Sequence, residues 1–407
     1  MKRVHIVLSG ASGYGAYYLK LLSGQVDPER FELVGLVDPL VSSVDLPWVQ
    51  EQKIPMYASL EEFYRERKAD LAILSCPIRF HKEQCLLAMA NSSHVLCEKP
   101  LVPTIEEALE LQEAARRYGR YLGIGFQWSF CSPILSFKRD RLAGRFGKPV
   151  MLKTLISWKR YDAYYQNSSW KGRIRDASGN LVRDSVATNA TAHYLHNLFF
   201  VMGDEMGSAA MPQRVSYAAY RGKEIESFDT CFARGQFAGG GEFLYIATHS
   251  GDEEMNPRFS YIFENATVTM EAPQNNPHII AEFSDGTRVD YGAPQSDASN
   301  AEKIIRMLDA VADGAEIPCT VPTILPHLAV CTGFFEEAPI FSLPAGRMQR
   351  ETDPAGTFMK GLTQDCLTCY ERGCLPYEAG FDWVYPETTF DPSRAAAAVN
   401  RRRILRG

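Results

Sequence analysis

Lys99 is the residue whose position most clearly suits chemistry. It follows the short apolar stretch His94–Cys97 and precedes Pro100. Because proline lacks a ladder donor and fixes φ, we expect a strand to end here, with Lys99 at its carboxyl end. Ligands of open parallel sheets bind at that edge, so an ammonium group there is placed to bind a ligand or take part in catalysis. The alternative is a surface ion pair with Glu98.

A glycine-rich turn gives the second candidate. It lies between the apolar stretch Val4–Leu8 and the helical stretch Ala16–Leu22. Gly10 and Gly15 match the first and third glycines of G-x-G-x-x-G, while Ser12 takes the second position. Backbone N–H groups of such a turn can bind a pyrophosphate, although an ordinary turn is the alternative interpretation. The candidate cofactor contacts of this turn are Gly10, Ser12, Gly13, Tyr14 and Gly15.

Asp38 follows a second apolar stretch, Phe31–Val37, at the position where the dinucleotide fingerprint has an acid. A carboxylate there accepts hydrogen bonds from the ribose hydroxyls and repels a 2′-phosphate, which favours NAD over NADP. A strand-terminating turn at Asp38-Pro39 is compatible with the same role.

Residues of a predicted helix at Asp184–Gly203 form the third candidate. Asn189, His193 and His196 follow the spacing i, i+4, i+7, so one helical face would carry all three. A neutral histidine near pH 7 can accept a hydroxyl proton, which suits His193, and a packing role is the alternative. For His196, substrate contact and packing are equally open.

The stretch before this helix mixes aromatic and basic residues. Aromatic side chains with hydrogen-bonding tips suit sugars and cyclitols, and the interleaved cations would tolerate a carboxylate or phosphate. A solvated basic loop with buried aromatics explains the pattern equally well. The candidate substrate contacts outside the predicted helix are Lys99, Gln127, Trp158, Tyr161 and Trp170.

Two domains must position these residues. Strands and helices alternate up to Phe126, which predicts a Rossmann fold with a doubly wound parallel sheet. After Pro149 candidate strands follow one another, which predicts an α+β domain with a large, mainly antiparallel open sheet. We expect a dinucleotide-binding domain at 1–128, a substrate domain at 129–340 and a C-terminal extension at 341–407.

Composition excludes several classes of protein. The 407 residues carry 43 Lys and Arg against 49 Asp and Glu, a net charge of −6. This balance lacks the excess of basic residues that is typical of nucleic-acid-binding proteins. No apolar run approaches the ~20 residues of a membrane span. Ten scattered cysteines without an export signal predict reduced thiols in the cytoplasm. Cys366, Cys369 and Cys374 lack a fourth ligand, so we expect no metal.

The segment from Pro77 and His81 to the Glu98-Lys99-Pro100 triplet resembles the P-x-x-x-H and E-K-P signatures of the Gfo/Idh/MocA family. The resemblance runs from the N-terminus to about Ala338. It implies an NAD(P)-dependent oxidoreductase acting on a secondary hydroxyl of a sugar, sugar acid or cyclitol, and a homo-oligomer, either dimer or tetramer.

The resemblance also assigns roles to residues. Lys99 would approach the reacting hydroxyl and the nicotinamide, with Pro77 and Glu98 beside the cofactor. His81 also falls within the cofactor set, although a structural hydrogen-bonding role suits it better. Asn189 stands where the family's D-x-x-x-H pattern has aspartate.

Two other functions stay open. An enzyme with resident NAD could use transient oxidation for glycoside cleavage or epimerisation. A non-catalytic, dinucleotide-bound sensor is the other, and the presence of both Lys99 and His193 argues against it.

Overall fold

A computed structural model of the chain describes residues 3–39, 47–270, 277–395 and 397. The chain divides into two compact units. Unit 1 comprises residues 1–132 and 295–324, and unit 2 comprises residues 133–294 and 325–407. No helix in the described ranges is both long and apolar enough to cross a bilayer.

The strands, in chain order, are β1 Val4–Ser9, β2 Phe31–Val37, β3 Met56–Tyr57, β4 Leu71–Leu74, β5 His94–Cys97, β6 Leu122–Ile124, β7 Pro149–Ser157, β8 Pro212–Arg221, β9 Thr230–Phe237, β10 Glu242–Thr248, β11 Met255–Phe263, β12 Ala266–Met270, β13 Ile279–Phe283, β14 Arg288–Gly292, β15 Phe341–Ser342, β16 Met348–Thr352, β17 Ala355–Met359 and β18 Thr388–Phe390. The α-helices are α1 Tyr14–Gly24, α2 Pro47–Glu51, α3 Leu60–Glu66, α4 His81–Ala90, α5 Ile105–Tyr118, α6 Ser132–Leu142, α7 Asp162–Gln166, α8 Ala192–Phe200, α9 Asp297–Asp313, α10 Val321–Glu336, α11 Leu362–Arg372 and α12 Pro376–Ala379. A π-helix covers Val186–Ala190, and short 3₁₀ turns cover Ile78–Phe80, Gln127–Ser129 and Ala345–Arg347.

Unit 1 contains a parallel sheet of six strands in the order β3-β2-β1-β4-β5-β6. The strand order reverses between β1 and β4, which is the switch point where doubly wound sheets bind ligands. β4 is buried along its whole length, because helices cover both faces of such a sheet. The predicted Rossmann fold is therefore confirmed.

Helix α9 belongs to unit 1, although the predicted boundary at 129–340 placed it in the second domain. Its Ser296 cap accepts a hydrogen bond from the Ser299 N–H at 3.0 Å. Its buried residues recur at helical spacing, and the helix contacts α1, β1 and β5. The chain thus returns to the first unit to cover its sheet.

Unit 2 contains a ten-stranded sheet whose main path runs β14-β13-β12-β11-β7-β10-β9-β8-β15, with β18 also paired to β8. The pairs β7–β10 and β8–β15 are parallel and the others antiparallel. The predicted mainly antiparallel sheet is confirmed. β14, a polar strand of intermediate burial, was not predicted.

Residues 341–407 group with unit 2 instead of forming a separate extension. β15 and β18 both pair with β8, and β16 and β17 form an antiparallel hairpin. α11 packs on the sheet, where Leu362 and Cys366 join a core that includes Leu155 and Leu244. Burial of these apolar side chains ties the extension to the unit.

Candidate active site

The glycine-rich turn after β1 is closed tightly against its neighbours. Gly10 has φ +83°, and a Cβ there would lie 2.7 Å from backbone atoms of Ser75 and Cys76 after β4. A Cβ on Gly15 would lie 1.7 Å from the Gly10 carbonyl oxygen. Only glycine fits either position, which matches the first and third glycines of the dinucleotide fingerprint.

The same turn leaves room for a ligand at Gly13. Its φ is +57°, and a Cβ at Gly13 would meet no atom within 4 Å. α1 begins at the next residue, Tyr14, with no acidic side chain in its first turn and no side-chain cap. The first N–H groups of a helix have no intrahelical acceptor and attract anions. These residues therefore fit a pyrophosphate.

Asp38 lies against the glycine-rich turn at the end of β2. Its Oδ2 accepts hydrogen bonds from the N–H groups of Ala11 at 3.0 Å and Ser12 at 3.1 Å. The side chain is buried, with the residue 5% exposed. Asp38 thus holds the turn in shape, a role that sequence reasoning had not given it, and the Ser12 N–H is directed to this carboxylate. Contact of Asp38 with a ribose remains a prediction.

His81 holds together two strand ends of this edge. Its Nδ1 lies 3.0 Å from the carbonyl oxygen of Pro100 and 3.1 Å from that of Leu101, while Nε2 lies 2.8 Å from that of Cys76. Burial lowers the pKa of His81, although these carbonyl contacts oppose the shift. Such contacts are those of a structural histidine, as the sequence favoured. Pro77, next to Cys76, is exposed, and its contact with a cofactor remains a prediction.

Glu98 and Lys99 directly follow β5, as predicted. Lys99 is of intermediate burial and its N–H donates to the Glu98 Oε2 at 3.2 Å. Glu98 is 7% exposed, and a Cβ on Gly125 would lie 2.6 Å from its Oε1. The carboxylate is therefore enclosed, and the surface ion pair considered for Glu98 and Lys99 does not describe it.

The partner of Glu98 is Lys303 of α9. The Lys303 side chain is fully buried and its Nζ lies 2.5 Å from the Glu98 Oε1. The Tyr18 hydroxyl donates to the same oxygen at 2.7 Å. Lys303 also donates to the Tyr14 hydroxyl at 3.2 Å. This buried pair links the helix after the glycine-rich turn to the strand end that carries Lys99.

Tyr14 extends the network to Gln127. Its hydroxyl donates to the Gln127 Oε1 at 2.7 Å. The candidate cofactor contact Tyr14 and the candidate substrate contact Gln127 therefore meet within unit 1. One turn on, Tyr17 donates to Asp297 at 2.8 Å and accepts from the Asn300 amide at 2.7 Å.

The predicted helix of unit 2 is interrupted, which corrects the single face assigned to its three candidates. Asn189 lies in the π-helix, whereas His193 and His196 lie in α8. Thr191 separates the two segments, and its hydroxyl donates to the Val186 carbonyl at 2.6 Å. Asn189 and His193 are of intermediate burial. Their roles as orienting group and base remain predictions.

His196 is packed inside unit 2. It is 1% exposed, and its ring stacks on Phe200 with the centroids 5.9 Å apart. Burial, together with His327 and Lys138, lowers its pKa well below the ordinary value. Of the two alternatives, the structure favours packing over substrate contact.

The aromatic candidates of unit 2 are all of intermediate burial. Trp158 follows β7 and meets Tyr194 of α8 edge-on at 5.8 Å between centroids. Tyr161 precedes α7 and meets Phe358 of β17 at 5.3 Å. Trp170 lies beyond α7 in the same connection. Their contact with a substrate remains a prediction.

Sequence reasoning missed Lys303, and a signal for it existed. On α9 the buried residues Asn300, Ile304 and Met307 form one helical face, and Lys303 lies on that face. A lysine is almost never fully buried unless it is paired, so its position required a buried carboxylate.

Comparison with known proteins agrees with this geometry. Residues 4–126 match the GFO_IDH_MocA family, described as an oxidoreductase family with an NAD-binding Rossmann fold. Over 169 residues the chain is 30% identical to 1,5-anhydro-D-fructose reductase of Ensifer adhaerens, covering 41% of this chain and 46% of that protein. Over 148 residues it is 27% identical to inositol 2-dehydrogenase of Streptomyces avermitilis, covering 36% and 43%. The match thus spans less than half the length of these curated relatives.

A solved structure extends the likeness of fold. The WlbA dehydrogenase from Bordetella pertussis, in complex with NADH and UDP-GlcNAcA, gives a TM-score of 0.67 at 17% identity, covering 83% of this chain and 97% of that one. At this identity the likeness concerns the fold alone. Residues 4–126 therefore match the NAD-binding Rossmann domain of the Gfo/Idh/MocA oxidoreductase family.

Proposed function

We propose that this protein is an NAD-dependent oxidoreductase that transfers a hydride between the nicotinamide and a secondary hydroxyl of a sugar, sugar acid or cyclitol. One observation carries the proposal. At a single edge of the unit 1 sheet, β1 leads into the glycine-rich turn, β2 into Asp38 and β5 into Lys99. That edge is where open α/β sheets bind dinucleotides and the groups that react with them.

When bound, NAD supplies the hydride acceptor. The N-terminus of α1 would hold the pyrophosphate, and Asp38, which fixes the turn, would hydrogen-bond the ribose. Lys99 directs its ammonium group to the substrate oxygen and stabilises the negative charge that builds there as the hydroxyl proton leaves.

His193 takes the hydroxyl proton at a ring nitrogen. Asn189 either orients His193 or holds a substrate hydroxyl through its amide. An amide cannot offset an imidazolium with a full charge, so the protonated histidine is less stabilised than beside an aspartate.

A second candidate follows from Asn189. An enzyme that keeps its NAD and oxidises the substrate only transiently, ending in glycoside cleavage or epimerisation, returns its proton and hydride within one turnover. A weaker proton relay is compatible with such a cycle.

The test is a panel of polyols, sugars, sugar acids and cyclitols incubated with NAD. Net NADH absorbance with one class, lost in Lys99→Ala, supports the first candidate. Product formed without a change in nicotinamide absorbance supports the second. Absence of any product with NAD or NADP would contradict both and favour the sensor.

A further inference from the structure

Unit 2 contains a cavity of about 660 Å³ that the proposed reaction does not use. Three segments line it: the stretch around α7, the turn after β8 and the extension. Asp162, Tyr165, Arg221, Lys223 and Arg350 are among the lining residues. The volume lies within the range of small-ligand sites. We call it the Lys223 cavity.

A second cavity of about 440 Å³ shares Tyr165, Arg221 and Lys223 with the first. It adds Lys171 and Arg173 to the lining. The two cavities therefore adjoin along the turn after β8.

The first cavity is lined by three cations, Arg221, Lys223 and Arg350, against two carboxylates, Asp162 and Glu224, so the formal charge of its lining is positive. Over the described ranges, no carboxylate oxygen lies within 4.0 Å of a charged nitrogen of Lys171, Arg221 or Lys223. Arg350, in contrast, pairs with Asp162 at 2.6 Å. A site lined by more cations than carboxylates attracts anions.

Arg221 and Lys223 make hydrogen bonds that leave their charges in place. The Arg221 guanidinium donates to the carbonyl oxygens of Ile225 at 3.1 Å and Glu226 at 3.0 Å. Lys223 donates to the carbonyl oxygen of Thr357, and its ammonium lies 3.6 Å from the ring centroid of Phe358. Carbonyl groups satisfy donors but supply no counter-charge.

Lys223 is the most deeply buried of these cations. It is only 7% exposed, and burial lowers its pKa to about 8. The nearby Asp229 does not form a direct ion pair with it. The oxygens of Asp229 accept from the backbone N–H groups of Gly222 and Lys223 and from two hydroxyl groups. A bound oxyanion would offset the cost of burying Lys223.

We propose that the Lys223 cavity binds the oxyanion of a small ligand, a carboxylate or phosphate on a molecule of carbohydrate size, with Lys223 and Arg221 as its charged contacts. Arginine suits either group because its planar fork donates two parallel hydrogen bonds. The site lies within unit 2 and does not depend on the proposed reaction.

The experiment measures binding by calorimetry on the full chain at constant ionic strength. The probes are D-glucuronate, D-glucose 6-phosphate and inorganic phosphate, with D-glucose as the neutral comparison. We expect one oxyanion probe to bind at a single site and D-glucose not to bind. Glucuronate alone identifies a carboxylate site, and the two phosphates identify a phosphate site. Absence of binding by all three oxyanions overturns the proposal.

The variant is Lys223→Met, which keeps an unbranched chain over the Phe358 ring while removing the charge. Its Kd for the bound probe should rise at least about tenfold, as expected for the loss of one charge-assisted hydrogen bond. The control is Lys148→Met, which removes an exposed charge of the same unit. An equal Kd in Lys223→Met and wild type would overturn the proposal.

A measurement on wild type keeps the test decisive even where the variant misfolds. Binding needs the ammonium form of Lys223, so Kd should rise at least about fivefold between about pH 7.5 and about pH 9.5. A constant Kd over that range overturns the assignment. The charged groups that face Lys223 from neighbouring elements are Asp229, Asp162, Lys159, Glu351 and His249.

Discussion

The buried pair of Glu98 and Lys303 gives the sharpest test of the site. Replacing Lys303 by Met should destabilise unit 1 severely, because the Glu98 carboxylate would stay enclosed without its counter-charge. Removing one partner of a buried ion pair typically costs about 3–5 kcal/mol. We expect that range here, because the Lys303 side chain is 0% exposed and its Nζ lies 2.5 Å from the Glu98 Oε1.

Other contacts reduce that cost only in part. The Tyr18 hydroxyl and the Lys99 N–H still donate to the Glu98 carboxylate in the variant. Neither carries a charge. Burial lowers the pKa of Lys303 even beside Glu98, which shows how strongly this site disfavours unpaired charge.

The assay is native-state hydrogen exchange read on peptides of α1 and β5, since unfolding of a two-unit chain need not be two-state. Lys20→Met is the matched control, because Lys20 pairs with Asp297 at 2.8 Å but both side chains are well exposed. Such a pair contributes at most about 1 kcal/mol. The double variant Glu98→Gln with Lys303→Met should recover part of the loss. Equal protection losses in Lys303→Met and Lys20→Met would refute the reasoning.

Four further outcomes are expected. Lys99→Ala should lower kcat at least about 10²-fold while NAD still binds in a fluorescence titration, and a near-normal kcat would remove Lys99 from the mechanism. Asp38→Ala should lower the ratio of kcat/KM for NAD over NADP; an unchanged ratio would leave Asp38 a structural role only. Asn189→Asp should raise the pKa of His193 and move the acid limb of the pH–rate profile upward, whereas a higher KM with an unchanged profile would make Asn189 a substrate contact. Because His196 is held neutral in the folded state, the free energy of unfolding should fall as pH drops below about 6.5, by up to about 1.4 kcal/mol per pH unit. The His196→Gln variant should show a smaller fall in denaturation experiments, and an equal fall would be contrary to this prediction.

Local sequence signals predicted the elements of unit 1 well. The apolar stretch Val4–Leu8 lies in β1, and β5 ends before the Glu98-Lys99-Pro100 triplet. Both signals depend on neighbouring residues only. The partner of Glu98 was not predicted, because it lies 205 residues away. Contacts at that separation depend on the packing of α9, which periodicity does not specify.

The interruption before α8 has a local cause that the apolar pattern hid. Ser185 and Thr188 form a capping box, in which the Thr188 N–H donates to the Ser185 Oγ at 3.1 Å. The Thr191 hydroxyl then donates to the Val186 carbonyl. Serine and threonine side chains compete in this way for backbone groups and change helix geometry. The spacing of Asn189 and His193 on an ideal α-helix therefore does not apply.

The boundary predicted at residue 340 was placed where the resemblance to the family ends. The extent of the compact unit depends instead on which segments bury apolar surface against its sheet. The strands β7 to β10 present Leu155, Phe232 and Leu244 to described side chains that follow residue 340, including Leu362 and Trp383. An uncovered apolar sheet face would have to pack against another protein surface. Since the chain covers this part of the sheet itself, the homo-oligomer that the resemblance implies requires a different surface.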